Sequence, residues 1–301
     1  MSVDRTARRI AVTSMVISAI LAALKITIGL KANSTAVVSD GLESASDVLS
    51  SGLVLFGLEM AAKPPDREHP YGHGRLETLT ALVVGMLLIV TGVLISFRSM
   101  ERAFEVQHAP AAFAIWPLLI SIAVKSVLWP LKRRVGRKIM SEALTADSWN
   151  DAMDALSGFT ALLGLGLTLL YPKGFVWADH VGGMAVGLIV IFLGGRVARD
   201  TTLQLMDTMP DEWHMQEIRE AAMGVPGALG IEKCFARKTG LKYHVDLHLE
   251  VDPGMTVYES HDLATRVRDR IREKLDWVAD VLVHVEPHLL TTLSERTHGK
   301  S

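Results

Sequence analysis

The chain has 301 residues, 49% of them apolar, a formal net charge of −2 and one cysteine. Cys234 alone allows no intrachain disulfide and no Cys-x-x-Cys metal or redox motif, and no basic tail or stripe invites nucleic acid. The apolar residues are unevenly spread: residues 10–205 hold long runs with few charges, whereas 206–301 are charged and mixed, which predicts a membrane part followed by a soluble domain.

In chain order, hydropathy predicts six helical spans near residues 10–30, 36–61, 78–100, 110–131, 146–170 and 177–199. Each approaches or exceeds the ~20 residues needed to cross a ~30 Å hydrocarbon core. Helix is the expected form, because lipid leaves no other open arrangement with its backbone satisfied. The first span follows arginines, as a signal peptide would, but its length and the further spans behind it mark a helix that stays attached. Arg5, Arg8, Arg9, Lys63, Arg67, Arg75, Lys132, Arg133, Arg134, Arg137, Lys138, Arg196 and Arg199 lie on the side of the N-terminus. Only Lys31, Arg98, Arg102 and Lys173 lie on the other, so both termini are expected in the cytoplasm.

The second and fifth spans are the least apolar, and they carry matching acidic segments. "SDGLESASDVLSSG" (Ser39–Gly52) presents Asp40, Glu43 and Asp47; "ADSWNDAMDALSG" (Ala146–Gly158) presents Asp147, Asn150 and Asp154. Positions i, i+3 and i+7 share one face of a helix. Each carboxylate near the bilayer centre costs roughly 2.5–3.5 kcal/mol unless it meets a partner, water or a cation. Asp47 is expected about 18 Å below the outer start of its span and Asp154 about 13 Å above the inner start of its own, so the two pairs reach a similar level. Glu43, Asp47, Asn150 and Asp154 would then form an oxygen cage for a cation. Polar bonding between helices is the competing account, and Gly158, Gly164 and Gly166 would suit close packing of any kind. The repetition at matched depth favours the cage. Asp151 falls one residue off the ligand face and is expected to meet water or another helix.

Between the second and third spans runs "KPPDREHPYGHGRLETL", in which Asp66, His69 and His73 could offer a carboxylate and two imidazoles to a transition metal. Histidines in a polar loop are more often not ligands, so this spacing alone leaves the matter open. The prolines and glycines predict an ordered turn. In the soluble part, residues 211–223 and 256–275 read as helices, and "GIEKCFA", "KYHVDLHLEV" and "ADVLVHVEP" as strands. Tyr243, Val245, Leu247, Leu249 and Val251 alternate onto one face, and "KTG" supplies a hairpin turn. Helix, two strands, helix, strand suits a small antiparallel or mixed sheet with helices on one face, a ferredoxin-like α/β domain.

"STAVVSDGLESASDVLSSG", "HPYGHGRLETL", "LTADSWNDAMDALSG", "LQLMDTMPDE" and "GLKYHVDLHLEVD", in that order along six spans, resemble the cation diffusion facilitators, which export divalent metals in exchange for protons. The resemblance covers residues 8–288. It implies a homodimer with a six-helix transport domain over residues 1–208 and a cytoplasmic metallochaperone-like domain over 209–290, followed by a disordered tail at 291–301. It places Glu43, Asp47, Asn150 and Asp154 at the transport site and Asp66, His69 and His73 at a loop site. It also implies a regulatory cytoplasmic site of His248, His261, His284 and Glu286, and a charged pair, Arg75 and Asp207, locking helices at the dimer interface. No cofactor is implied, and the chain is not expected to be an enzyme; metals enter as substrate and as regulatory ligands.

Several positions depart from the family's habit. Asn150 stands where zinc exporters commonly have histidine, Glu43 where His or Asp is usual, Glu232 where some members have a tail histidine, and Arg75 where lysine is commoner. An all-oxygen set favours Mn²⁺ or Fe²⁺ over Zn²⁺. Glu43, Asp47 and Asp154 can carry protons, whereas Asn150 serves only as a ligand. The rival readings are a membrane-anchored metal sensor that does not transport and a monovalent cation/proton antiporter. A membrane metallohydrolase is disfavoured, because the loops are too short to build a cleft. A bacterial inner membrane is the expected location.

Overall fold

A computed structural model describes residues 5–31, 35–102, 115–170 and 176–288, and the chain divides into two compact units, Met1–Leu205 and Met206–Ser301. The side chains of Asp40 and Glu43 lie outside the described part, as do the expected start of the fourth span near 110 and the tail at 291–301.

Among the described residues the first unit is six helices: α1 (Arg5–Lys31), α2 (Thr35–Ala61), α3 (Arg75–Arg102), α4 (Ile115–Lys138), α5 (Glu142–Leu170) and α6 (Val176–Leu205). The shortest, α4, has 24 residues, or about 36 Å at 1.5 Å per residue. α1 and α3 are long and apolar enough by composition to cross a membrane. α2 and α5 are diluted by carboxylates and serines, and α4 by lysines and arginines. Burial in this unit runs opposite to that of a water-soluble bundle. Ile20, Leu49 and Phe192 are 62%, 76% and 70% exposed, whereas Glu77, Lys125, Lys132, Asp147 and Asp151 are buried to 1% or less. An apolar exterior around a charged interior suits lipid as the surrounding solvent.

α1 packs along α2, α4 along α5 and α3 along α6. The last pair rests on glycines one heptad apart, Gly85 and Gly92 on α3 facing Gly194 and Gly187 on α6. A Cβ on Gly92 would stand 2.7 Å from the Gly187 carbonyl oxygen, and one on Gly187 would stand 2.7 Å from that of Gly92. Such close backbone approach needs small residues, since lipid offers helices no hydrophobic drive to associate. Gly92→Val is therefore expected to destabilise the membrane unit by about 1–3 kcal/mol, read as a lower thermal unfolding midpoint in detergent. An unchanged midpoint would show that α3 and α6 do not meet here.

The turn between α4 and α5 is closed locally. Met140, with φ 56, ends α4, and the Ser141 N–H reaches back to the Gly136 carbonyl at 2.9 Å, a Schellman closure. Ser141 Oγ accepts the Leu144 N–H at 3.1 Å. Glu77 on α3 accepts from Ser141 Oγ and the Ala143 N–H, both at 2.8 Å, so a buried carboxylate caps the start of α5.

The second unit contains α7 (Glu212–Met223), β1 (Gly230–Thr239), β2 (Lys242–Val251), α8 (Val257–Lys274) and β3 (Val278–Pro287). The sheet is mixed, in order β1-β2-β3: the β1–β2 hairpin is antiparallel, turning at Gly240 with φ 68, and β3 lies parallel to β2. The parallel pairing follows from the α8 crossover, which returns the chain to the end of the sheet where β2 began. This is the ferredoxin-like order without a first strand among the described residues. α8 starts on a capping box: the Glu259 carboxylate accepts the Thr256 N–H at 2.8 Å, and Thr256 Oγ1 accepts the Glu259 N–H at 3.3 Å. Val245, Leu247, Leu249 and Val251 of β2 bury against Met215 and Ile218 of α7 and Leu263, Val267 and Ile271 of α8, and Tyr243 packs at the edge of that core. Cys234 belongs to the same core, and burial pushes its thiol up to about 11.

Candidate metal transport site

Helical spacing puts Asp47 and Ser51 on one face of α2, Asp147, Asp151 and Asp154 on one face of α5, and Lys125 and Lys132 one heptad apart on α4. The three faces meet inside the first unit. Lys125 Nζ donates to Asp47 Oδ2 at 2.9 Å, Asp151 Oδ1 at 2.7 Å and Asp154 Oδ2 at 2.8 Å. The Asn150 amide donates to Asp47 Oδ1 at 2.6 Å. Asp47 and Asp154 thus converge from α2 and α5 on one cationic centre, the lysine's ammonium, and Asn150 joins only through its bond to Asp47. The side chain of Glu43 is not among the described ones, so the fourth member of the expected cage is not placed.

A second ionic cluster adjoins the first. Lys132 Nζ lies 2.6 Å from both Asp147 Oδ2 and Asp151 Oδ2, and Ser51 Oγ donates to Asp147 Oδ2 at 3.1 Å. Asp151 bridges the two lysines. Ionised throughout, Asp47, Asp147, Asp151 and Asp154 against Lys125 and Lys132 leave a net charge of −2, which one divalent cation would balance.

Sequence reasoning needs correction at three residues. Lys132, assigned to the cytoplasmic flank, is fully buried between two aspartates. The flank rule counts a lysine by position along the chain and cannot see that its side chain turns inward. Asp151, expected beside water or another helix, is a central ion-pair partner of α4 instead. Lys125 was not singled out at all, although an ionisable residue inside the apolar run "SIAVKSVLW" is the usual mark of a functional position in a membrane helix.

The loop before α3 brings Asp66, His69 and His73 together, their candidate ligand atoms lying within 4.8 Å of one another. Asp66 Oδ1 accepts the backbone N–H groups of Glu68 at 3.0 Å and His69 at 2.7 Å, and Gly72, with φ 81, turns the chain back. The His69 backbone N–H, joined by its ring, holds the Asp66 carboxyl below the usual carboxylate range, so it is ionised and ready to ligate at neutral pH.

In the second unit the parallel register sets His248 beside His284 and Glu250 beside Glu286. His248 Nδ1 lies 2.5 Å from Glu286 Oε1, His284 Nε2 lies 3.8 Å from the same oxygen, and the three side chains form one potential ligand group. Hydrogen bonds shared with Glu232 and His248 hold Glu286 below its ordinary range. His261 is exposed on α8 and does not belong to this group. His288, which sequence reasoning passed over, lies with Nδ1 2.6 Å from Glu250 Oε2 on the neighbouring positions. Arg75 opens α3 in the first unit, and Asp207, with φ 58, lies at the start of the second.

The family model described as "Cation efflux transmembrane domain" matches residues 11–206, and that described as "Cation efflux protein, cytoplasmic domain" matches 210–288. An uncharacterized transporter, MJ0449, of Methanocaldococcus jannaschii is 32% identical over 91% of this chain and 96% of its own length. The manganese efflux system protein MneP of Bacillus subtilis is 27% identical over 95% of this chain and 97% of its own. Metal tolerance protein C1 of Arabidopsis thaliana is 30% identical over 90% of this chain, which spans only 60% of that protein's length. A solved structure, the C-terminal domain of MamM, covers 26% of this chain and 98% of its own at 30% identity, with a TM-score of 0.25. With transmembrane and cytoplasmic domains both matched in a single polypeptide, the chain belongs to the cation diffusion facilitator family of metal transporters and is not an enzyme.

Proposed function

We propose that this protein is a homodimeric exporter that moves divalent transition metals out of the cytoplasm in exchange for protons, with Mn²⁺ or Fe²⁺ preferred to Zn²⁺. The observation that carries the reading is the meeting of Asp47 from α2 and Asp154 from α5 on one buried cation position, with Asn150 bonded to Asp47. Oxygen ligands without imidazole or thiolate favour the harder ions, and similarity to a manganese efflux protein points the same way. Glu43 completes the set in this reading. Asn150 now turns its amide nitrogen toward Asp47, so it becomes a ligand by rotating half a turn to present its oxygen.

Residues 1–208 form the transport domain, with all six helices crossing a bacterial inner membrane and both termini cytoplasmic. Residues 209–290 form the regulatory and dimerising domain. The loop group of Asp66, His69 and His73 is a second metal site. His248, His284 and Glu286 bind regulatory metal as one group, His261 binds it from its separate exposed position on α8, and Arg75 and Asp207 pair at the dimer interface. On the outward side, protons displace the metal from the carboxylates, which returns the site to its metal-free state.

The test is flux in proteoliposomes under an imposed pH gradient, with Mn²⁺, Fe²⁺, Zn²⁺ and Na⁺ compared side by side. Divalent flux that rises with the gradient and disappears in Asp154→Ala is the expected result. Flux of Na⁺ alone would establish the monovalent exchanger, and metal binding by the tail without any flux would establish the sensor.

A further inference from the structure

Lys125 sits where the cargo must sit. Its side chain is 1% exposed, and its ammonium takes one oxygen from each of Asp47, Asp151 and Asp154 at 2.7–2.9 Å. These are hydrogen-bond distances. A divalent transition metal would draw such oxygens in to about 2.0–2.2 Å, and it could not tolerate an ammonium among the same ligands. The two cations are therefore exclusive occupants of the Asp47–Asp154 pair.

The arrangement also supplies somewhere for the lysine to go. Asp151 lies on the same face of α5 as Asp154 but nearer the N-terminal end of that helix, and the Lys125–Asp151 contact is the shortest of the three. Asp151 is itself anchored by Lys132 at 2.6 Å. Pro130 separates the two lysines on α4 and leaves the Ser126 carbonyl without its helical donor, which gives α4 a point of local freedom between them.

We propose that Lys125 is a tethered competitor of the cargo: its ammonium holds Asp47 and Asp154 in the metal-free site, retracts onto Asp151 as the metal enters, and returns to help expel it. The inference rests on the transport-site reading above. It explains how the site avoids facing lipid depth as bare like charges between cycles, and why metal need not bind so tightly that it cannot leave. A lysine serving only to staple α2, α4 and α5 would instead be needed for the site to form at all.

The experiment is equilibrium binding of Mn²⁺ to the full-length purified dimer carrying His73→Ala, His248→Ala and His284→Ala, so that the loop and tail groups do not contribute. In that background Lys125→Met is expected to bind Mn²⁺ about tenfold more tightly, with the gain abolished by adding Asp154→Ala. Reconstituted, Lys125→Met should show a lower KM for Mn²⁺ together with a lower maximal rate, since release has lost its competitor. Should Lys125→Met fail to fold, Lys125→Met with Asp151→Asn removes one charge of each sign and is expected to show the same gain. Asp154-dependent binding that is equal to or weaker than that of the lysine-containing protein would overturn the tethered competitor and leave the transport site standing. Binding indifferent to Asp154 in both proteins would overturn the site and the competitor together.

Discussion

Lys132→Ala is expected to destabilise the membrane unit by about 3–5 kcal/mol, the cost of leaving buried charges without their partner. Lys132 is fully buried and stands 2.6 Å from one oxygen of each of Asp147 and Asp151. Without it, among the described residues Asp147 keeps Ser51 and Asp151 keeps Lys125, while the two carboxylates remain one turn apart on α5. Water cannot easily relieve them, because both aspartates are 1% exposed. The thermal unfolding midpoint in detergent, followed by tryptophan fluorescence, reports the loss. Lys138→Ala at the exposed end of α4 is the control and should stay within about 0.5 kcal/mol of the parent. If the two variants unfold alike, the buried pairs of Lys132 are not formed in the folded protein.

Asp47→Asn is expected to reduce divalent metal flux by more than about a hundredfold while leaving the fold intact. A ligand should matter at least as much as the residues around it, whose loss alone costs 10–100-fold in metal sites. The substitution keeps the shape of the side chain and an oxygen facing the Asn150 amide, so the 2.6 Å contact between α2 and α5 can persist. It removes the negative charge that attracts both Lys125 and a divalent ion. Stability and flux should therefore separate: the midpoint moves by about 1 kcal/mol or less, and transport is lost. Flux within tenfold of the parent would place the transport site elsewhere.

The Asp47 prediction rests on a residue that sequence reasoning found, whereas the Lys132 prediction rests on one whose burial only the structure shows. The repeat of carboxylates in "SDGLESASDVLSSG" and "ADSWNDAMDALSG" told that Asp47, Asp147 and Asp154 lie on inward faces of α2 and α5, although it left out Asp151, which the structure places among the same ion pairs. The strict alternation of β2 likewise told which side chains bury, and Val245, Leu247, Leu249 and Val251 do. The prolines and glycines around Asp66 and Gly72 marked the ordered turn, and Gly72 takes a φ of 81 there. These are short-range properties, set by bond geometry and by the free energy of moving apolar or charged groups between solvents.

What the period could not supply was which faces meet. Lys125 and Lys132 are ordinary residues of α4 until α2 and α5 pack against it and turn them into the counter-ions of four aspartates. Gly92 and Gly187 are ordinary small residues until α3 and α6 approach to backbone contact. β3 becomes a parallel neighbour of β2 only through the α8 crossover, and that pairing brings His248 beside His284. Sequence by itself determined the division into membrane and soluble parts, the acidic helix faces, the loop and the strands of the tail. Tertiary structure alone decided the ion pairs around the candidate site, because a buried charge takes its partner from whatever segment the fold carries alongside it, at any distance along the chain.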